Sequence, residues 1–395
     1  MKMTERALNR ATLARQLLLA REPGLDAVEA VRRVVALQAQ QPASPYIALW
    51  NRLTAFDARA LDEALADHRT VRATLMRITV HLVHADDYAP FREAMDPTLR
   101  ASRLGDTRFT SSGLTAADAD TLLPSLLRYA STPRTAAELR TWLDDELPNR
   151  PGTPLAPLAA DAHRMLRHYA PLWHAPTGGP WSFDTRQSYV SPPHPPRLTD
   201  SESAAKGLRT LLHRYLEAFG PATVADMAQF TLIQRARIRP VVQEMLANAE
   251  VEQLPPATGK TPLYDIPDAP RPPENTPAPP RLLPMWDSPL LAYADRSRLI
   301  PPAYRKHVTR MNGDVLPTLL VDGQVAGVWR VVDDAASIEA TAFHPLPAAV
   351  WRALGEEAEA LTTFLAGRDA RPYRRYDHWW GKGFPGGEVR RLSEG

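Results

Sequence analysis

Three times along the chain, helical runs are closed by a pair of brief strands, and this alternation restricts the fold more than any other feature of the sequence. In the first unit Leu8, Leu13, Leu17 and Leu18 recur at helical spacing from Arg6 to Arg21, and a second run goes from Leu25 to about Leu37. Helices expected over Tyr46–Leu53 and Ala58–His68 precede Thr70 to Val83, which reads as a β-hairpin. In the second unit Thr115 with Asp118 and Thr135 with Glu138 have the spacing of reciprocal helix caps. A helix over about Ala159 to Tyr169 and a strand pair from Leu172 to Val190, turning at Gly178-Gly179, complete it. The third has helices over Leu208–Phe219 and Ile233–Asn248, a break at Gly220-Pro221, a cap at Thr223 and Asp226, and strands at Val251–Leu254 and Pro262–Ile266.

Helices followed by a hairpin are the winged-helix pattern, so the expected fold class is α+β with three tandem winged-helix units, over 1–105, 106–197 and 198–270. Pro-rich stretches at Ser191–Arg197 and Asp265–Pro280 read as extended connectors, because proline removes backbone donors. Beyond them Val315–Val321 and Gln324–Val332 flank Asp322-Gly323, a strong hairpin signal, and a helix over about Ala348–Leu365 closes a β-rich region at 281–367. The last stretch, 368–395, is rich in Arg, Tyr, Trp and Gly without a helical or strand period and is expected to be a flexible tail.

Composition removes several chemistries. The 395 residues include no cysteine, which excludes disulfides, thiolate nucleophiles and cysteine-bound metal. His163, His168 and His174 do not follow the three- or four-residue steps that put ligands on one helical face, so no metal is expected there. Gly381-Lys382-Gly383-Phe384-Pro385-Gly386 imitates a dinucleotide fingerprint but opens no helix, and Thr258-Gly259-Lys260-Thr261 lacks the first glycine of a phosphate loop. No apolar run is long enough to cross a membrane and the first residues do not form a signal sequence, so a cytoplasmic protein is expected. The net charge of +2 does not by itself imply nucleic acid, yet lysine occurs only at Lys2, Lys206, Lys260, Lys306 and Lys382, so almost all the basic charge is arginine, which grips phosphate with a planar fork.

What remains is Leu37-Gln38-Ala39-Gln40-Gln41-Pro42, where the second helix ends. Residues two apart diverge on a helix but share a side in extended chain, and the following prolines favour extension, so Gln38 and Gln40 can address one point. Taken alone, glutamines at a helix end are solvated polar residues.

At this motif the sequence resembles the AlkZ/YcaQ family of DNA glycosylases. The likeness takes in Leu37-Gln38-Ala39-Gln40 with Pro45-Tyr46-Ile47-Ala48-Leu49-Trp50, and Leu75 to Val83. It continues through Arg214 to Thr223, Arg281 to Asp287, Asp295-Arg296-Ser297 and Val321 to Arg330, in the family's order from about Leu8 to Gly367. The resemblance implies tandem winged helices closed into a C-shaped cleft that holds double-stranded DNA on its concave face. It also implies a catalytic Gln-apolar-Gln motif, here Gln38 and Gln40, in the branch associated with interstrand crosslinks, bulky N7-alkylguanine and self-resistance to genotoxic natural products.

The expected activity is therefore hydrolysis of the N-glycosidic bond of a bulky N7-alkylated purine by a monomeric, monofunctional enzyme that uses no cofactor. An N7-alkylguanine already carries positive charge and leaves as a neutral base, so one glutamine carbonyl holding water and two acceptor oxygens favouring a cationic sugar suffice. Arg72, Arg77 and His81 on the first hairpin, with Arg296 and Arg330 further on, are the candidate contacts to phosphate or lesion. The alternative is a transcription regulator or drug-binding protein, with Arg235, Arg237 and Arg239 on a recognition helix that Pro240 interrupts.

Overall fold

The computed structural model describes residues 3–146, 160–257, 259–332 and 337–392. Thr258, and Ala159 as the first residue of the expected helix, lie outside these. The first helices begin where side chains supply acceptors to free N–H groups: Thr4 caps α1 (Glu5–Arg15) and Asp26 caps α2 (Ala27–Arg33). Helix α2 ends earlier than expected. β-Branched residues lose side-chain freedom in a helix, and at Val34-Val35 the chain leaves it, Val35 taking φ +71. Leu37–Gln38 then forms β1. Pro42 and Pro45 do not close a helix but occupy the entry and first turn of α3 (Ala43–Arg52), where a missing N–H costs little.

After α4 (Ala58–Ala66) come β2 (Thr70–Thr74), a tight turn over Met76–Ile78 and β3 (Val80–His84), the expected hairpin. Helices α5 (Ala85–Leu104), α6 (Thr107–Thr110) and α7 (Ala116–Tyr129) follow, then β4 (Arg134–Thr135), α8 (Ala136–Glu146), α9 (Ala160–Tyr169), β5 (Trp173–Ala175) and β6 (Ser188–Val190). Both expected caps form, with Asp118 and Glu138 returning bonds to Thr115 and Thr135.

The first two hairpins are not separate wings. They share one sheet in the order β1-β3-β2-β5-β6-β4, because the free edge of β2 takes Trp173 and His174 as partners of Ala73 and Arg72. An unpaired edge leaves backbone donors and acceptors open, and pairing two such edges satisfies both.

Next, α10 (Ser201–Phe219), α11 (Val224–Thr231) and α12 (Arg235–Ala247) precede the hairpin β7 (Glu252–Leu254) with β8 (Leu263–Asp265). Pro240 does not interrupt α12, which runs through it to Ala247. Helix α10 lies so close to α5 that a Cβ on Gly207 would sit 2.3 Å from the Pro90 carbonyl oxygen.

The remainder is a second antiparallel sheet, ordered β13-β12-β11-β10-β9. Its parts in chain order are β9 (Arg281–Leu283), α13 (Arg305–Val308), β10 (Thr318–Val321), β11 (Gln324–Val332), β12 (Ser337–Ala342), α14 (Ala348–Ala366) and β13 (Glu388–Leu392). Asp322 and Gly323 take φ of +46 and +78, the left-handed pair that a two-residue hairpin turn requires.

The C-terminal stretch is not a flexible tail. Tyr373, Tyr376 and Trp379 are buried along a 3-10 segment at Arg374–Lys382, and β13 adds a strand to β12. It shows no simple period because aromatic anchors and one edge strand, rather than an amphipathic face, hold it. Buried ion pairs join distant parts: Arg52 to Asp287 at 2.6 Å and Arg15 to Asp265 at 2.6 Å, all four side chains at most 2% exposed. Among the described residues no helix is long and apolar enough to cross a membrane.

Candidate active site

Strand β1 places the glutamines. Gln38 pairs with His81 across the β1–β3 ladder, and the Ala39 N–H donates to Val80 O at 2.8 Å. On its other side Arg72 Nε donates to Ala39 O at 3.0 Å. With Ala39 held at both backbone groups the chain stays extended, and the side chains of Gln38 and Gln40 meet, Nε2 of the first donating to Oε1 of the second at 2.7 Å. Gln38 is only 5% exposed, whereas Gln40 is exposed. The pair thus has a buried member and a presented one.

The turn between β2 and β3 supplies the partner of Gln38. Arg77 and Ile78 both adopt left-handed backbone, φ +53 and +57, which costs non-glycine residues on the order of 1–3 kcal/mol each. That conformation carries Arg77 back over the sheet, where Nη2 donates to Gln38 Oε1 at 2.8 Å and lies 3.0 Å from His81 Nε2. Its Nη1 donates to Phe230 O at 3.3 Å, and the guanidinium lies over the Phe230 ring at 5.3 Å, tying α11 to the site.

These contacts fix every donor direction. His81 Nδ1 is 3.0 Å from Thr79 O, an acceptor only, so Nδ1 carries the proton and Nε2 accepts from Arg77. A guanidinium can only donate, so the Gln38 carbonyl faces Arg77 and its amide N–H faces Gln40. The Gln40 carbonyl therefore accepts from Gln38 and keeps one acceptor position to spare. Burial and the Arg77 charge hold His81 well below its ordinary pKa, so it is neutral. Burial, with Arg296 nearby, pulls Arg77 down to about 9, which leaves it charged at neutral pH.

The candidate contacts separate into three groups. Arg72 and His81 are buried, at 6% and 0% exposure, and spend their polar atoms inside the protein, so the expectation that they touch phosphate is corrected. Arg72 lies over the Phe183 ring at 4.4 Å beside His174, and burial lowers it to about 10. Both act on the glutamines from behind. Arg77 joins them, half-buried, and Arg296 lies near enough for its charge to act on Arg77. Arg330 is not brought to the glutamines: on β11 it pairs with Glu339 at 2.8 Å and lies over Trp380.

Sequence reading missed a further set. The Gln41 carbonyl, in the amide orientation that satisfies its neighbours, accepts from Arg375 Nε at 2.9 Å and the Tyr376 hydroxyl at 2.8 Å. Ser44 meets the Tyr373 hydroxyl at 3.0 Å. The C-terminal stretch thus braces the residues just after the motif, and its density of Tyr and Trp was the only signal.

One consequence concerns pH. His81 and His174 are both held neutral by burial and an adjacent arginine, and take up protons when the chain unfolds. Stability is therefore lost as the pH falls below about 6.5, by about 1.4 kcal/mol per unit for each histidine, until its depressed folded value is reached. Chemical denaturation between about pH 7 and pH 5 measures this, and His81→Gln should flatten the slope. An unchanged slope would show that His81 does not carry it.

Compared with known proteins, the family described as DNA glycosylase AlkZ-like matches residues 31–364, which includes both glutamines and the whole β2–β3 hairpin. An interstrand DNA cross-link repair glycosylase of Streptomyces sahachiroi is 25% identical over 326 residues, 78% of this chain and 83% of that protein. Among solved structures, the Streptomyces sahachiroi DNA glycosylase AlkZ superposes with a TM-score of 0.74 at 22% identity, covering 93% of this chain and 98% of that one. That likeness extends the match in fold beyond the family segment.

Proposed function

The chain belongs to the AlkZ-like DNA glycosylase family, and from that premise we propose that it hydrolyses the bond between deoxyribose and a bulky N7-alkylated purine, crosslinked guanine included. The observation that carries this reading is the Gln38–Gln40 pair, anchored to Arg77 at one end and exposed at the other. The spare acceptor position of Gln40 Oε1 holds a water against C1′ of the sugar. As the alkylated base leaves it takes the electrons of the glycosidic bond and its cation is discharged. The sugar becomes an oxocarbenium ion that the water then attacks, releasing its proton to solvent. Neither amide is a base; they orient and stabilise.

Charge decides which neighbours are tolerable. A protonated His81 would place a second cation behind Gln38 and oppose the positive sugar, so its neutrality favours the reaction. No lysine touches either glutamine among the described residues, which supports a monofunctional enzyme that leaves an abasic site without cutting the strand.

We read α10 to β8 as a winged-helix unit and the two preceding ones as fused through their common sheet, with DNA lying along a cleft at Gln40. In this reading the enzyme acts in the cytoplasm as a monomer and gives self-resistance to a genotoxic natural product.

The test is incubation of purified protein with a duplex carrying N7-alkylguanine, followed by heating in alkali. Free base and alkali-labile sites are expected. EDTA should leave the rate unchanged, because the chain has no cysteine and the described residues include no cluster of three or more His, Asp or Glu that could hold a metal. Sequence-specific binding to one palindrome with no base release would instead support a regulator.

A further inference from the structure

Six arginines are buried among the described residues, and five of them face a carboxylate, as Arg52 faces Asp287. Arg72 is the sixth, 6% exposed and in no ion pair among those residues. A buried cation without a counter-charge is costly unless other groups take the place of water around it. Three do so. Arg72 Nε donates to Ala39 O at 3.0 Å, Nη1 lies 3.4 Å from His174 Nδ1, and the guanidinium lies over the Phe183 ring at 4.4 Å. A guanidinium only donates, so His174 Nδ1 is the acceptor, and burial beside Arg72 keeps that ring neutral. The first hairpin thus supplies the arginine, while the imidazole and the aromatic face come from the second.

Phe183 is itself fixed from outside. It sits in the loop between β5 and β6, where Ser182 takes φ +60, a conformation that a non-glycine residue keeps only where its surroundings hold it. The Ser182 hydroxyl donates to Asp62 Oδ1 at 2.6 Å and lies 2.7 Å from the Tyr46 hydroxyl, so α3 and α4 both grip the loop. Arg368, just past α14, donates to Pro180 O at 2.9 Å and to Asp62 Oδ2 at 2.5 Å. Trp181 packs on Tyr46 with ring centroids 5.2 Å apart. A loop anchored on both sides of Phe183's neighbours delivers the ring to Arg72 in one place.

We propose that Phe183 is a positioning residue for the reaction: its ring face holds the Arg72 guanidinium against the Ala39 carbonyl and so keeps Gln38 and Gln40 on one side of an extended strand. Ala39 stands between the glutamines, and its N–H is already committed to Val80 O. Without the ring, Arg72 is a buried charge short of partners; it draws in water, and Ala39 O loses its donor. The chain at 38–40 is then held from one side only, and the two amides part. The inference rests on the reading of the glutamines as the reacting pair, but the strand it concerns can be observed without any reaction.

Two full-length variants separate the ring face from simple packing. Phe183→Leu keeps apolar bulk without a face, and Phe183→Tyr keeps the face. In single-turnover release of N7-alkylguanine, Phe183→Leu should be slower by about tenfold or more, the scale of a desolvated contact between a cation and a ring, with duplex Kd within about threefold of wild type; Phe183→Tyr should recover most of the rate. Hydrogen exchange across residues 37–42 should be faster in Phe183→Leu and near wild type in Phe183→Tyr. Phe183→Leu combined with Arg72→Lys should lose little more rate than Arg72→Lys alone, because residues that act as one unit do not add. Wild-type exchange over 37–42 in Phe183→Leu, equal slowing by leucine and tyrosine, or losses that multiply in the double variant each overturn the proposal. Faster exchange in Phe183→Leu alongside a wild type that releases no base would overturn the glycosylase reading and leave the support of Ala39 by Phe183 standing.

Discussion

Replacing Gln38 or Gln40 by alanine should lower the single-turnover release of N7-alkylguanine by on the order of 10²–10³, the cost of losing one preorganised transition-state contact. Duplex affinity should stay nearly unchanged in both, and thermal unfolding in Gln40→Ala, because Gln40 is exposed and Ala39, not either glutamine side chain, carries the backbone bonds that hold β1 to the sheet; Gln38→Ala, which takes the acceptor from Arg77, should unfold at a somewhat lower temperature. The two variants fail differently. Gln40→Ala removes the atom that holds water, whereas Gln38→Ala leaves that atom in place but free to rotate, so its loss should be the smaller. Gln40→Glu keeps an acceptor for Gln38 Nε2 and a second oxygen for water, and should retain activity within about tenfold of wild type. Excision at the wild-type rate by both alanine variants would sink the assignment.

The second large effect is expected at Arg77. Arg77→Ala leaves the buried Gln38 carbonyl without its donor, a loss of about 1–3 kcal/mol, which corresponds to about 5–150-fold in rate if it is felt at the reacting atoms. The amide of Gln38 is then free to turn over, so the fall should appear in kcat with KM little changed. Added guanidinium ion should recover part of the rate. A phosphate contact behaves otherwise: its removal weakens binding and lowers the salt slope by about 1. Arg77 donates to Gln38 Oε1 and Phe230 O inside the protein, so the slope should hold. A lowered slope with unaltered chemistry would return Arg77 to the DNA contacts.

Much of this protein is legible in its sequence where the physics is local. The caps at Thr115, Thr135 and Thr223 and the Asp322-Gly323 turn each depend on atoms within four residues, and all form as their spacing predicts. The pairing of Gln38 with Gln40 was readable for the same reason, since two residues apart in extended chain leaves little choice of side. The length of α2, by contrast, was misjudged at its end, where strand pairing with β3 outweighs a helical pattern that continues to Leu37.

What the sequence determined alone is the set of elements and the two amides that meet. The tertiary structure decided which way those amides face, since their direction comes from Arg77 and from a histidine whose proton is set by the Thr79 carbonyl. It also decided that Arg72 and His81 lie behind the site, that two hairpins join one sheet, and that Tyr373, Tyr376 and Trp379 bury the last segment. Burial and edge pairing depend on what arrives from dozens or hundreds of residues away, as Trp173 does at β2 and Tyr376 does at Gln41. An arginine that binds phosphate and one that locks a carbonyl have the same letter; only the solvent around them differs.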